Sequence, residues 1–181
     1  MAENKMLSPA NFFSGNDFLA IRNKEYCRQL MQLNDETILK GLILSEADVR
    51  DLVDTRNKSL ADNGRFEIGV ETVTKIIDRF SESSFIYQSN YAETINELVE
   101  IFYYIKTEAA DKISDNALLD MMWDFYENKC AGSIELMTGR ELEILLRYIH
   151  GDRKIYTLDE EDDYNAEPEG MERNEYNQQP E

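Results

Sequence analysis

The sequence predicts an all-α protein, a single compact bundle of about six helices around one central apolar helix. The first observation is residues 91–110, YAETINELVEIFYYIKTEAA, which are apolar over most of a helical circumference. The second is a recurrence of helix-start signals at Ser45, Asn90, Ser114 and Thr138. The third is that the segments after these signals carry apolar residues three and four apart.

Taken in order, residues 1–16 read as an N-terminal arm whose Phe12 and Phe13 are free to dock on the bundle. A first helix is predicted over about 17–33, with Phe18, Ile21, Cys27, Leu30 and Met31 facing the core. Asn34-Asp35 and Gly41 punctuate residues 34–44. Ser45-Glu46-Ala47-Asp48 is a capping box: the serine hydroxyl accepts from the third helical amide, and Asp48 reaches back. Its helix is expected to stop at Asn63-Gly64, the glycine taking the left-handed conformation. Val49, Leu52, Val53 and Leu60 form the apolar stripe of that helix, and Arg56 lies on the same stripe.

GRFEIG, residues 64–69, reads as a short extended connector. Gly64 and Gly69 have the spacing of a phosphate loop, but Val70-Glu71 stand where Lys-Ser/Thr must be, so no charge partner for phosphate exists. A helix over 70–81 presents Val73, Ile76, Ile77 and Phe80, and the serine-rich SESS turn ends it. Asn90, with Glu93 three residues on, is expected to cap the central helix reciprocally. Within that helix Tyr91, Ile95, Leu98, Phe102, Ile105 and Ala109 share one side, flanked by Val99 and Ile101. The narrow stripe left over carries Glu93, Glu97, Glu100, Tyr104 and Asp111. Ser114 opens a helix over about 115–129, with Leu118, Leu119, Met122, Trp123 and Tyr126 inward. Thr138-Gly139-Arg140-Glu141 reads as another capping box. The last helix turns Leu142, Leu145, Leu146 and Ile149 inward and stops at Gly151, with His150 where a cation favours the helix dipole.

A chain of 181 residues with 42% hydrophobic content suits one domain, here 17–156. The net charge is −18, and residues 157–181 hold ten acids against one base, so half of that charge sits in the tail. The tail has too little apolar surface to offset its ordering entropy and is expected to be disordered. This balance argues against binding nucleic-acid phosphate, which needs a basic face, and against anionic membranes. No apolar stretch approaches the roughly 20 residues of a membrane span, and the N-terminus lacks a basic segment followed by an apolar run. The expected location is cytoplasmic, with Cys27 and Cys130 as buried thiols.

Chemistry-bearing residues are sparse, and no catalytic residue, cofactor or metal site is predicted. Helical carboxylates such as Glu93, Glu97 and Glu100 hold metals in bundles when joined by Glu-x-x-His motifs. The single histidine, His150, has Arg147 three residues before it, so a solvated polar face is the simpler expectation. Arg56 is sharper. A guanidinium on an apolar stripe must snorkel or meet an acid, because an unpaired buried charge is very costly. Glu97 and Glu100 are natural partners on the central helix, with Glu67 and Glu141 as others. Tyr103 and Tyr104 border the apolar face and are candidates to rim a groove.

Thr55-Arg56-Asn57, Gly64-Arg65-Phe66-Glu67-Ile68-Gly69, Tyr91-x-Glu93-Thr94…Glu97-Leu98…Glu100-x-Phe102-Tyr103…Lys106 and Gly139-Arg140-Glu141-Leu142-Glu143 together carry a resemblance. Over roughly residues 40–150 the chain resembles a bacterial family, seen mostly in Firmicutes, that is catalogued only as a domain of unknown function. The resemblance implies a small cytosolic protein and offers no activity, cofactor or partner. It directs interest to Arg56, Arg65, Glu67, Glu97, Glu100, Arg140 and Glu141, with Tyr104 beside them, as one partly buried ion-pair network or ligand site.

The function expected first is a non-enzymatic interaction module, an adaptor or regulator, with a protein partner of basic character or a second copy of the chain. A small-ligand binder or enzyme using the Arg/Glu/Tyr cluster is the second reading. An acidic mimic of nucleic acid is the third, from charge alone.

Overall fold

The computed structural model describes residues 15–150, and every regular element among them is helical. The N-terminal arm, Gly151 and the acidic tail lie outside the described residues. The helices are α1 (Gly15–Gln32), α2 (Asn34–Thr37), α3 (Glu46–Asp62), α4 (Glu71–Phe80), α5 (Tyr91–Glu108), α6 (Asp115–Asp124), α7 (Ile134–Thr138) and α8 (Arg140–His150). Among the described residues, six of these run ten residues or more.

α5 is the axis. It packs most extensively on α3 and also against α4, α6 and α7, while α1 lies on α3. Its predicted apolar side is buried throughout, from Tyr91 to Ala109. Truncating a side chain such as Leu98 or Phe102 to alanine here removes both transfer energy and packing, about 2–5 kcal/mol each. Tyr103 is buried as well. It therefore rims no groove, which corrects the expectation for it, while Tyr104 remains exposed.

Start and stop signals explain most boundaries. Both arms of the Ser45 box are present: Asp48 N–H donates to Ser45 Oγ at 3.2 Å, and Ser45 N–H to Asp48 Oδ2 at 2.7 Å. Gly64 follows α3 in the left-handed conformation, φ 61°. Ser114 accepts from Ala117 N–H.

Other expectations are corrected. Asn90 does not cap α5 with its side chain. Its Oδ1 accepts from Tyr87 N–H at 2.8 Å and its Nδ2 donates to the Phe85 carbonyl at 3.1 Å, so the amide closes the preceding turn. Thr138 donates its hydroxyl back to the Ile134 and Glu135 carbonyls. It thus lies in the last turn of the short helix α7, opened by Ser133, two residues before α8 begins at Arg140. The helix expected over 115–129 is regular only to Asp124 and then widens into a π-turn, Phe125–Lys129. That turn carries Tyr126 into the core, edge-on to Phe80 and Phe85. Ile21, expected in the core, is 58% exposed. The buried side of α1 is set by Tyr26 and Leu30, and Ile21 stands about 140° around the helix from Tyr26.

Candidate functional site

Arg56 meets its acid. It is only 1% exposed on α3, among the aliphatic residues of its stripe. Its Nη2 donates to the Glu67 carbonyl at 3.1 Å and lies 3.9 Å from Glu67 Oε2. Its Nη1 donates to Asn57 Oδ1 at 2.9 Å, and the guanidinium plane sits 5.1 Å from the Tyr26 ring centroid. A planar, weakly hydrated cation suits such a site because it can stack and fork at once.

Glu67 is the hub of the second layer. Tyr103 of α5 donates its hydroxyl to Glu67 Oε2 at 2.7 Å, and Thr72 of α4 donates to Oε1 at 3.3 Å. The Tyr26 hydroxyl accepts from Gly69 N–H at 2.9 Å, and Asn57 Nδ2 reaches Asn23 Oδ1. Five elements, namely α1, α3, the connector 64–69, α4 and α5, are therefore tied at one point. Burial, and then the charge of Glu67, hold the Tyr103 hydroxyl well above its ordinary pKa. It is kept as a donor.

The connector alternates around this hub. Glu67 turns inward, while Phe66 and Ile68 on either side are 76% and 85% exposed. Gly69 ends the connector at φ 88°, a conformation an L side chain rarely adopts.

The expected single network is instead divided. Arg56 and Glu67 come together. Arg65, two residues away, pairs with Asp111 at 2.5 Å. Glu97, Glu100 and Tyr104 lie on the exposed strip of α5, and none of them reaches Arg56. The reason is rotational: Tyr103, not its neighbours, faces the connector. Arg140 and Glu141 open α8 in sequence, and their side chains lie outside the described residues. Glu97 is nevertheless perturbed: burial first, then the charges of Glu93, Glu100 and Glu135, raise its pKa.

Sequence reasoning missed a second polar centre. Lys106, nearly buried on α5, pairs with Asp115 at 2.6 Å and donates to the Ile113 carbonyl at 2.7 Å. Asp111 lies 3.7 Å from the same ammonium and adopts a left-handed φ of 57°. Its hydrogen bond from Arg65 holds its carboxyl below the usual range. With Lys75, Ser114 and Asn116 these groups line a shallow, open depression. A lysine on the edge of the apolar face was the available signal. A third contact, from the Ser83 and Ser84 hydroxyls to Glu127, each at 2.6 Å, gives the SESS turn its function. Burial alone would raise the Glu127 pKa, and these hydrogen bonds outweigh it.

Among the described residues no group of three or more His, Cys, Asp or Glu is placed to hold a metal ion. None of their helices is long and apolar enough to cross a membrane. The sequence model of a family of unknown function (DUF6323) matches residues 29–154. No curated protein and no solved structure matches the chain.

Proposed function

The chain belongs to the DUF6323 family, and from that premise we propose that it is a cytosolic, non-enzymatic protein-interaction module that engages its partner through the connector 64–69. The observation that carries this reading is the exposure of Phe66 and Ile68 on either side of an anchored Glu67. A single exposed apolar side chain is ordinary. Two on a segment whose middle residue is fixed by its carbonyl and both carboxylate oxygens are pre-organised, which lowers the ordering cost of binding.

Arg56 supports the same reading over a ligand site. Its guanidinium is engaged by Glu67, Asn57 and Tyr26, so an anionic ligand would have to displace a hydrogen-bonded carboxylate and enter a buried position.

The test is affinity capture from native lysate with mass spectrometry, using wild type and the Phe66→Ser/Ile68→Ser double variant. A stoichiometric partner held by wild type and lost by the variant, at unchanged thermal stability, is the expected result. A partner that the variant retains, or no partner at all, overturns the reading.

A further inference from the structure

Residues 38–43 and 81–88 meet at a corner beside the N-terminus of α3, the opposite end of that helix from the connector. A helix of this length separates the two ends by about 25 Å. Two contacts pin the corner. Ile43 N–H donates to Gln88 Oε1 at 2.6 Å, and Gln88 Nε2 returns to the Ile43 carbonyl at 2.8 Å. Lys40 Nζ donates to Ser81 Oγ at 2.9 Å and pairs with Glu82 at 3.2 Å.

The loops so fixed leave Ile38, Leu39, Ile43 and Tyr87 exposed, Leu39 at 88%. Four exposed apolar residues on two loops joined by these contacts differ from singly scattered ones. Their rim is acidic. Asp35 and Glu36 immediately precede the corner and have no ion pair among the described residues. Asp78 feels the Glu36 charge, after burial, as an upward push on its pKa. Lys40, the one cation in this stretch of α2 and its following turn, is committed to Glu82.

We infer that this corner docks a basic amphipathic helix of a partner protein, its apolar face on Leu39, Ile43 and Tyr87 and its cations against Asp35 and Glu36. Charge decides the occupant. A second copy of a chain of net charge −18 would bring like charges to the rim. An anionic membrane would be repelled in the same way. Recognition of an amphipathic helix needs apolar anchors with charge-complementary flanks; the exposed Leu39, Ile43 and Tyr87 supply the first and Asp35 and Glu36 the second. The inference does not depend on the connector 64–69.

The experiment titrates the full chain with a designed Leu/Lys amphipathic helix and follows amide NMR shifts and binding heat. A Ser/Lys peptide of equal charge and a Leu/Glu helix serve as probes of charge alone and apolarity alone. The expected result is tight binding of the Leu/Lys helix only, with shifts centred on residues 35–43 and 87–88. Leu39→Ser and Tyr87→Ser should each weaken it at least about tenfold. Asp35→Asn/Glu36→Gln should weaken it severalfold and flatten its salt dependence. Phe66→Ser/Ile68→Ser should leave it unchanged, which separates this surface from the connector. Equal binding of either control peptide, indifference to Leu39→Ser, or self-association of the free chain through these residues overturns the inference.

Discussion

The Tyr103 hydroxyl donates to Glu67 Oε2 at 2.7 Å, joining the most buried helix of the bundle to a carboxylate on a surface connector. Glu67 in turn receives Thr72 on its other oxygen and offers its carbonyl to Arg56. The core thus dictates where the connector lies, and the exposed Phe66 and Ile68 inherit that position.

Removing only the donor tests this. Tyr103→Phe keeps the ring and leaves a carboxylate oxygen in a part-buried site without its partner. The expected cost is about 1–3 kcal/mol, read as a lower urea midpoint at unchanged slope. A variant as stable as wild type would mean that water replaces the hydroxyl freely.

Arg56 tests the other side of the same hub. Arg56→Met deletes the charge, the fork to Glu67 and Asn57, and the stacking on Tyr26. Breaking a buried ion pair costs about 3–5 kcal/mol, and the lower part of that range is expected because Glu67 retains some exposure to water. Arg56→Lys keeps the charge but cannot fork or stack equally, so it should fall between. Chemical denaturation of both variants checks the order. Lysine matching wild type would sink the role assigned to the planar guanidinium.

The fold was legible where one local signal had one outlet. Ser45 with Asp48 had only each other, and both hydrogen bonds form. Arg56 was legible for the same reason, since a cation on an aliphatic stripe demands an acid. The choice of acid was not: Glu67, Glu97 and Glu100 differ by helix rotation and by the path of the connector, which are tertiary quantities. Asn90 and Thr138 carried correct capping chemistry but had competing outlets, the carbonyls and amides of the preceding turns. The π-turn at Phe125–Lys129 left no periodic trace, because it answers to packing of Tyr126 against Phe80 and Phe85.

Gly132 gives a prediction about backbone and space together. Its φ is 78°, and a Cβ there would overlap the Cβ and Cγ of Phe85. Gly41 has the same conformation, φ 77°, with open space around it. Gly41→Ala should therefore cost only the left-handed strain, about 1–2 kcal/mol. Gly132→Ala should add a steric term of about 1–3 kcal/mol. Thermal melts of the pair separate the two effects. Equal losses would show that Phe85 moves aside at no cost.

Glu97 and Asp111 should respond to pH in opposite directions. Burial and three neighbouring carboxylates raise the Glu97 pKa in the folded state. The stability gained from its protonation is then complete below the unfolded carboxylate pKa, about 4.3, and is lost as pH rises through the higher folded value. At neutral pH an ionised Glu97 opposes folding, so Glu97→Gln should raise the melting temperature at pH 7. The gain should stay below about 1 kcal/mol, because the side chain is exposed and screened, and it should vanish near pH 3. Asp111, held low first by its hydrogen bond from Arg65, contributes stability above its unfolded pKa, and that is lost as pH falls through the folded value. Asp111→Asn should therefore destabilise at pH 7 and be neutral in acid. Melting curves for both variants across that range check the signs. A Glu97→Gln loss at pH 7 would show that a favourable contact of the carboxylate outweighs its crowded, partly desolvated surroundings.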